Sequence, residues 1–510
     1  VTTEAILRDY LSAAIRRHGS RRAVVAGGET WTYADLERAS RAVAGHLAEL
    51  GTGPGDPVAI ILRNGAEYVV ADLAIALLGA AKVPLNLMLS TEEQAYILAD
   101  SGARVCLIEA DRLDVIGAAR EHGADPLVVV RGGGAGPGSW DAAVSHAPLA
   151  AEPPVPPDAL ALIMYTGGTT GRPKGVLHTQ RGIAANLLSH LVEMELGAAD
   201  VLLLTSPLPH SAGFLLQAAL SKGASVFVEQ GFDIEVVLDR ISRDRVTYLF
   251  MVPTMIYRLI DAVAARADID TSSVRTILYG AAPISLERLR DGLRRFGPVF
   301  VQLYAQSEAP NFLTRLRRDD HRVEGRDVRR LASCGQPVVM ARVEVRKEDG
   351  SACEPGEVGE VVARAPYTMI GYLGREPETA EALRDGWLHT GDLGYLDEDG
   401  YLYLVDRKND MIITGGLNVY STEVEQALVR VPGVQEAAVT GVPHPDWGEA
   451  VVAFVVPERS DVTAEAIQAV AREALSAYKR PKRVVLVASL PVTAVGKIDK
   501  KELRQGWPGW

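Results

Sequence analysis

Residues 165–175 read Tyr-Thr-Gly-Gly-Thr-Thr-Gly-Arg-Pro-Lys-Gly and follow an apolar run, 159–164, that predicts a buried strand. Four glycines and three threonines make a loop with few bulky side chains. Such a loop turns sharply and can bring backbone N–H groups and hydroxyls against an anion. Arg172 and Lys174 add positive charge. The same composition also suits a plain hairpin turn. Two familiar phosphate loops do not fit. Gly171 is followed by Arg-Pro-Lys-Gly rather than the Lys-Ser or Lys-Thr of a Walker A loop, and no G-x-G-x-x-G is present in register.

Other reactive side chains lie at the ends of predicted strands. His210 stands in Pro-Leu-Pro-His-Ser-Ala-Gly, 207–213, after an apolar run at 201–204. The run 276–279 ends in Gly280-Ala281-Ala282-Pro283, small residues against which something flat could lie close to the backbone. The run 299–304 ends in Ala305-Gln306-Ser307-Glu308. Strand ends of this kind are where α/β proteins hold ligands. Further on come Asp392, closing Gly-Trp-Leu-His-Thr-Gly-Asp, and Lys497 in the last stretch, where a lone Gly-Lys is ordinarily surface.

The elements that position these groups change character along the chain. Up to about 340, short apolar strands (58–62, 105–108, 127–130, 246–251) alternate with helical periodicities (33–50, 66–79, 253–264), which predicts layered α/β subdomains. From about 340 to 405 short strands with tight turns predict a small antiparallel, barrel-like subdomain. Residues 406–410, Asp-Arg-Lys-Asn-Asp, read as a charged, strand-poor junction between domains. The last hundred residues predict a compact α+β unit.

The chain has 510 residues, 47% hydrophobic and 23% charged, with net charge −12. That balance argues against nucleic acid or an anionic membrane as a bulk partner. Cys106, Cys334 and Cys353 show neither metal spacing nor a disulfide framework and predict a reducing, cytoplasmic setting. Residues 1–10 are polar and predict no signal peptide, and no apolar run approaches the roughly 20 residues of a membrane span.

Taken together, the stretches 165–175, 207–213, 279–283, 304–308, 386–392, 406–416 and 491–497 resemble, in order and over nearly the whole chain, the motifs of the adenylate-forming superfamily. The Pro-Leu-Pro-His and Gly415-Gly416-Leu-Asn-Val-Tyr versions are most similar to its acyl-CoA and aryl-CoA ligases. The resemblance implies a carbon–sulfur ligase using ATP, Mg²⁺ and coenzyme A. A carboxylate attacks the α-phosphorus of ATP to give an acyl-adenylate and pyrophosphate; a thiol then displaces AMP to give a thioester. It implies a large domain, 1–408, that binds ATP and the acyl group, and a mobile domain, 409–510, that turns about Asn409 between the half-reactions.

Site residues follow from the same resemblance. Thr166, Thr169, Thr170, Gly171 and Lys174 would grip the phosphates. Glu308 would hold Mg²⁺, and Ser307 would touch the α-phosphate. Gly280, Ala281 and Ala282 would wall the adenine opposite Tyr304, and Asp392 and Arg407 would take the ribose. Lys497 would bridge the carboxylate and the α-phosphate. Gly415 and Gly416 would line the pantetheine tunnel, and His210 would gate it. The acyl pocket would comprise His210, Gly213, Met251, Gly280 and Ala305, which offer no fixed charge. The family also carries an expectation of a homodimer.

Departures from the family pattern bear on these expectations. Ala305 replaces a glycine beside the acyl pocket and α-phosphate, and Ser307 keeps the hydroxyl of the usual threonine. Asn409 stands where relatives mostly have Asp or Lys, so the charge that responds to rotation is missing. Leu417 and Ser421 replace a common Glu and Pro. Ser211 occupies the position where amino-acid-activating relatives place an Asp for the substrate ammonium, which points to an acid without an α-amino group. Three rivals to a full CoA ligase remain: transfer to a carrier-protein phosphopantetheine, specialisation in one half-reaction, and a non-catalytic nucleotide-binding protein.

Overall fold

The computed structural model describes residues 4–510 apart from 135, 167–171, 267, 409, 460, 494–497, 508 and 510. The chain packs as two compact units, Val1–Val343 with Ala363–Leu388, and Glu344–Val362 with His389–Trp510.

The first unit is built on two sheets. In one, six parallel strands run in the order Phe300–Gln306, Thr276–Tyr279, Tyr248–Met251, Val201–Leu204, Ser225–Val228 and Arg22–Ala26. Antiparallel strands extend both edges: Ala309–Leu316 and Gln336–Pro337 at one, Glu29–Thr32 at the other. The second sheet has five parallel strands in the order Leu160–Thr166, Ala81–Pro84, Pro57–Ile61, Val105–Glu109 and Leu127–Arg131. Lys174–Thr179 adds to its edge as the antiparallel return of a hairpin, followed by Gly371–Tyr372. Strands such as Val105–Glu109 and Tyr248–Met251 are buried at every residue. Helices on both faces demand such continuous apolar runs. Helix Ala66–Leu78 is buried at every position but Glu67. Its Asp72 pairs there with Lys82 Nζ at 2.6 Å and accepts a hydrogen bond from Gln217 Nε2 at 2.8 Å, as a buried carboxylate requires.

The second unit carries most of a curled antiparallel sheet of Arg342–Arg346, Gly359–Arg364 and Trp387–Leu396, with Leu402–Arg407 against the last. It also holds a small α+β body. There Val434–His444 and Gly448–Pro457 form a long antiparallel pair, flanked by the hairpin Ile412–Thr414 and Leu417–Val419 and by Arg483–Leu486 in parallel. Helices Ser421–Val429 and Ala464–Ala474 cover one face through Val424, Leu428, Ile467 and Ala471. The predicted α/β class, with its antiparallel subdomain and α+β C-terminal body, is the observed one. One local expectation fails. Asp406 and Arg407 are not a strand-poor junction but the end of strand Leu402–Arg407, where Asp406 is buried and hydrogen-bonded. No helix among the described residues is long and apolar enough to cross a membrane.

Candidate active site

The loop 166–174 closes a hairpin whose strands pair through Thr166 opposite Lys174 and Tyr165 opposite Gly175. The hairpin reading therefore holds for the strands on either side, Leu160–Thr166 and Lys174–Thr179, while the connection 167–171 lies outside the described residues. Thr169, Thr170 and Gly171 lie outside the described residues. The root of the loop is braced by polar groups. Tyr165 Oη donates to Asp100 Oδ2 at 2.7 Å, and burial pushes the phenol pKa up. The Arg172 guanidinium lies over the Tyr96 ring at 5.2 Å, and Lys174 Nζ lies 5.2 Å from the Tyr372 ring centre.

Tyr372 also reaches the proposed metal ligand: its Oη donates to Glu308 Oε1 at 2.7 Å. The Glu308 carbonyl accepts from Met369 N at 2.7 Å. One residue earlier, the Ser307 carbonyl accepts from His178 Nε2 at 2.9 Å. A carbonyl can only accept, so Nε2 carries the proton, and burial holds the His178 pKa down at about 4. The Ser307–Glu308 turn is thus clamped from the hairpin strand and from Gly371–Tyr372. A carboxylate fixed by one oxygen is a hard donor of the kind Mg²⁺ takes. Ala305 sits where the register between Phe300–Gln306 and Ala309–Leu316 shifts, between the pairs Tyr304–Thr314 and Gln306–Ala309. Irregular pairing of this kind re-aims side chains at sheet ends.

On the neighbouring strand, Gly280 is buried against the chain before Tyr304: a β-carbon there would stand 2.6 Å from the Leu303 carbonyl oxygen. Ala281, exposed, adopts φ +68°, and Ala282 is exposed beside it. Met251 packs into the core with Leu203, Phe227, Ile256 and Tyr279, so its side chain is accounted for by packing.

His210 lies in the wide turn Leu208–Ala212, which Asn64 anchors: its Oδ1 accepts from Leu208 N and its Nδ2 donates to the Ser206 carbonyl. Asn86 Nδ2 meets His210 Nε2 at 3.1 Å. The far side is held by Asn311, at φ +66°, whose Nδ2 donates to the Ser211 carbonyl and to His190 Nε2. His190 Nδ1 donates to the Asn186 carbonyl, and burial keeps its pKa near 4. Gly213 closes the turn; a β-carbon there would lie 2.4 Å from the Leu208 carbonyl oxygen.

In the second unit Asp392 and Arg407 are direct cross-strand partners, with Arg407 Nε 3.1 Å from Asp392 Oδ1. Gly415 and Gly416 form the two-residue turn of the hairpin Ile412–Val419 with φ of +57° and +79°, a turn that requires positive φ at both positions. Ser421, where relatives commonly have proline, donates its backbone N–H to Asp406 Oδ2 and its Oγ–H to Asp406 Oδ1. A proline has no N–H to give. Lys500 Nζ joins this group through Ser421 Oγ at 2.6 Å and Glu425 Oε1 at 2.7 Å. Lys500 thereby pins the segment directly after Lys497; Lys497 and Asn409 themselves lie outside the described residues.

The supporting residues His178, Tyr372, Asn64, Asn86, Asn311 and Lys500 carry no motif spacing that marks them in the sequence. Each is identified by the partner it holds.

Comparison with known proteins bears on the family. The AMP-binding enzyme family model matches residues 11–373, and the AMP-binding enzyme C-terminal domain matches 423–497. A feruloyl-CoA synthase of an Amycolatopsis species is 40% identical over 486 residues, covering 95% of each chain. A medium/long-chain-fatty-acid–CoA ligase of Mycobacterium tuberculosis is 37% identical over 520 residues, covering 98% of this chain and 90% of its own. The solved structure of an amide bond synthetase from Marinactinospora thermotolerans superposes with a TM-score of 0.87 at 34% identity, covering 98% of this chain and all of that one. With both family models matched in order and identities of this size across almost the full length, the chain belongs to the AMP-binding enzymes, in the adenylate-forming branch that holds the acyl- and aryl-CoA ligases.

Proposed function

We propose that the protein joins a carboxylic acid without an α-amino group to coenzyme A at the expense of ATP, through an acyl-adenylate. The observation that carries this reading is Tyr372. Its ring faces Lys174 and its hydroxyl holds Glu308, so one side chain brings a cation and a carboxylate side by side, which supports a phosphate-binding role for the first and a metal-binding role for the second. Joining two anions needs both: cationic groups to offset the charge that develops between carboxylate and triphosphate, and a hard oxygen donor for Mg²⁺.

In this reading Thr166, Lys174 and residues 169–171 hold the triphosphate, and Ser307 meets the α-phosphate. Ala281 and Ala282 flank the adenine. Asp392 accepts from the ribose hydroxyls, oriented by Arg407. Lys497 approaches the carboxylate as it attacks phosphorus and pyrophosphate leaves. The domain turn at Asn409, with 1–408 and 409–510 as the moving parts, then admits the thiol. The thiol adds to the acyl carbonyl, AMP departs with the bonding pair, and the thiol proton is released. His210, placed by Asn86, stands at the acyl end. The set His210, Gly213, Gly280 and Ala305 offers no fixed charge and favours an apolar or aromatic acid, with Met251 as support beneath. The two CoA-ligase relatives favour coenzyme A as the acceptor over a carrier protein. The scattered cysteines Cys106, Cys334 and Cys353, without a disulfide-framework spacing, fit a reducing compartment.

A panel of aryl, medium-chain and long-chain acids with Mg-ATP tests this reading, with pyrophosphate, AMP and acyl-CoA followed separately. Acyl-CoA formed from at least one acid supports it. Pyrophosphate release without acyl-CoA, resolved by adding a phosphopantetheinyl carrier protein or an amine, would reassign the acceptor. Silence with every acid, and with synthetic acyl-adenylates plus CoA, would refute it.

A further inference from the structure

Outside the adenylation site, one cluster has the chemistry of a metal centre. His46 and Glu49 lie one turn apart at the end of helix Tyr33–Glu49, and His146 follows the short helix Trp140–Val144. One ligand atom from each lies within 4.8 Å of the other two, the one such grouping among the described residues. His46 is 93% buried, its exposure being 7%, and its Nε2 has no hydrogen-bond partner. A buried imidazole nitrogen left unpaired is costly and calls for a partner. His146 Nδ1 donates to the Ala147 carbonyl at 2.8 Å, which fixes the ring and leaves Nε2 as the outward nitrogen. That Nε2 meets Glu49 Oε2 at 2.5 Å, and the two imidazole rings lie 5.4 Å apart.

The two sides of the cluster are held together independently of any ligand. Leu149 N donates to the Arg41 carbonyl at 2.8 Å, Arg41 Nη2 returns a bond to the Leu149 carbonyl at 2.7 Å, and Arg41 Nη1 pairs with Glu152 at 3.1 Å. Gly45 lets the strap press on the helix: a β-carbon there would lie 2.2 Å from the Ala147 carbonyl oxygen. The backbones that carry the donors are thus held together, helix against strap.

We propose that His46 Nε2, His146 Nε2 and Glu49 bind one divalent transition-metal ion of the zinc type, with water completing the coordination. Two imidazoles and one carboxylate suit zinc or cobalt rather than magnesium or calcium. A tetrahedral ion with ligands at about 2.0–2.2 Å needs donors roughly 3.5 Å apart. The exposed Glu49 side chain, 70% accessible, is free to make that adjustment. The cation takes the place of the hydrogen between His146 and Glu49, so one proton is released on binding. The ion ties residues 140–152 to the helix, a structural clip separate from the Mg²⁺ that accompanies ATP.

The test uses the full chain stripped of metal by a chelator and desalted, titrated with Co²⁺ alone and then Zn²⁺ alone in excess Mg²⁺. One equivalent of Co²⁺ with tetrahedral visible bands is expected, together with a Zn²⁺-dependent rise in thermal midpoint. Glu49→Gln and His146→Gln should each weaken binding at least about tenfold and abolish the midpoint rise. Their metal-free circular dichroism should stay that of the parent, Glu49 being at the surface. No stoichiometric binding by the parent chain, or binding unchanged in both variants, would overturn the proposal.

Discussion

Asp392 and Arg407 stand directly opposite each other on antiparallel strands, with Arg407 Nε 3.1 Å from Asp392 Oδ1. Asp392 is 6% exposed and Arg407 50%. A pair with one half-exposed partner contributes little to stability, so its value lies in aiming the buried carboxylate. Asp392→Asn keeps the shape and removes the charge. It should raise the KM for ATP by about 10- to 100-fold, the equivalent of about 1.5–3 kcal/mol for hydrogen bonds to a charged group. The parent enzyme should discriminate against 3′-deoxy-ATP, and the variant should lose most of that discrimination. Equal discrimination in both would remove the ribose role.

Tyr372 joins Lys174 and Glu308 from a strand nearly 200 residues beyond the loop. Tyr372→Phe retains the ring under Lys174 and deletes the donor to Glu308 Oε1. The Mg²⁺ concentration for half-maximal rate should rise by about tenfold, about 1.4 kcal/mol for one charge-assisted hydrogen bond, with the thermal midpoint little changed. An unchanged Mg²⁺ dependence would mean that Glu308 is not the ligand.

Burial holds the pKa values of His178, His190 and His321 down at about 4. In the unfolded chain these imidazoles titrate near 6.5. Between those values the unfolded state binds more protons than the folded one. The stability they contribute is therefore complete above about pH 6.5 and lost as pH falls through about 4. The urea midpoint should drop steadily below pH 6.5, and His190→Gln should reduce the slope by about one proton. A slope unaltered by that substitution would contradict a neutral buried His190.

The layered α/β body was legible because parallel strands buried on both faces read as continuous apolar runs, as in Val105–Glu109. Ser307, Glu308, Asp392 and Arg407, the positions proposed for the site, were singled out because they sit in local motifs. Their supports were not. Tyr372 is brought to Glu308 from a strand that pairs with Val176 across a sheet edge, and His178 meets the Ser307 carbonyl 129 positions away, neither of which any local periodicity encodes. Ser421 reads as a tolerated exchange for proline until its N–H is seen bonded to Asp406. Asp406 and Arg407 were misplaced in a junction because a run of charges masks a strand whose partner, Trp387–Leu396, is needed to see it.

The division of labour between half-reactions is tested most directly by Lys497→Ala, assayed separately for adenylate formation and for thioester formation from supplied acyl-adenylate. Lys497 would act only while carboxylate and α-phosphate are being joined. Adenylate formation should fall by at least about a hundredfold, about 2.7 kcal/mol of transition-state stabilisation, while acyl-CoA formation from the supplied adenylate stays within a few-fold of the parent. Equal loss of both activities would contradict the account.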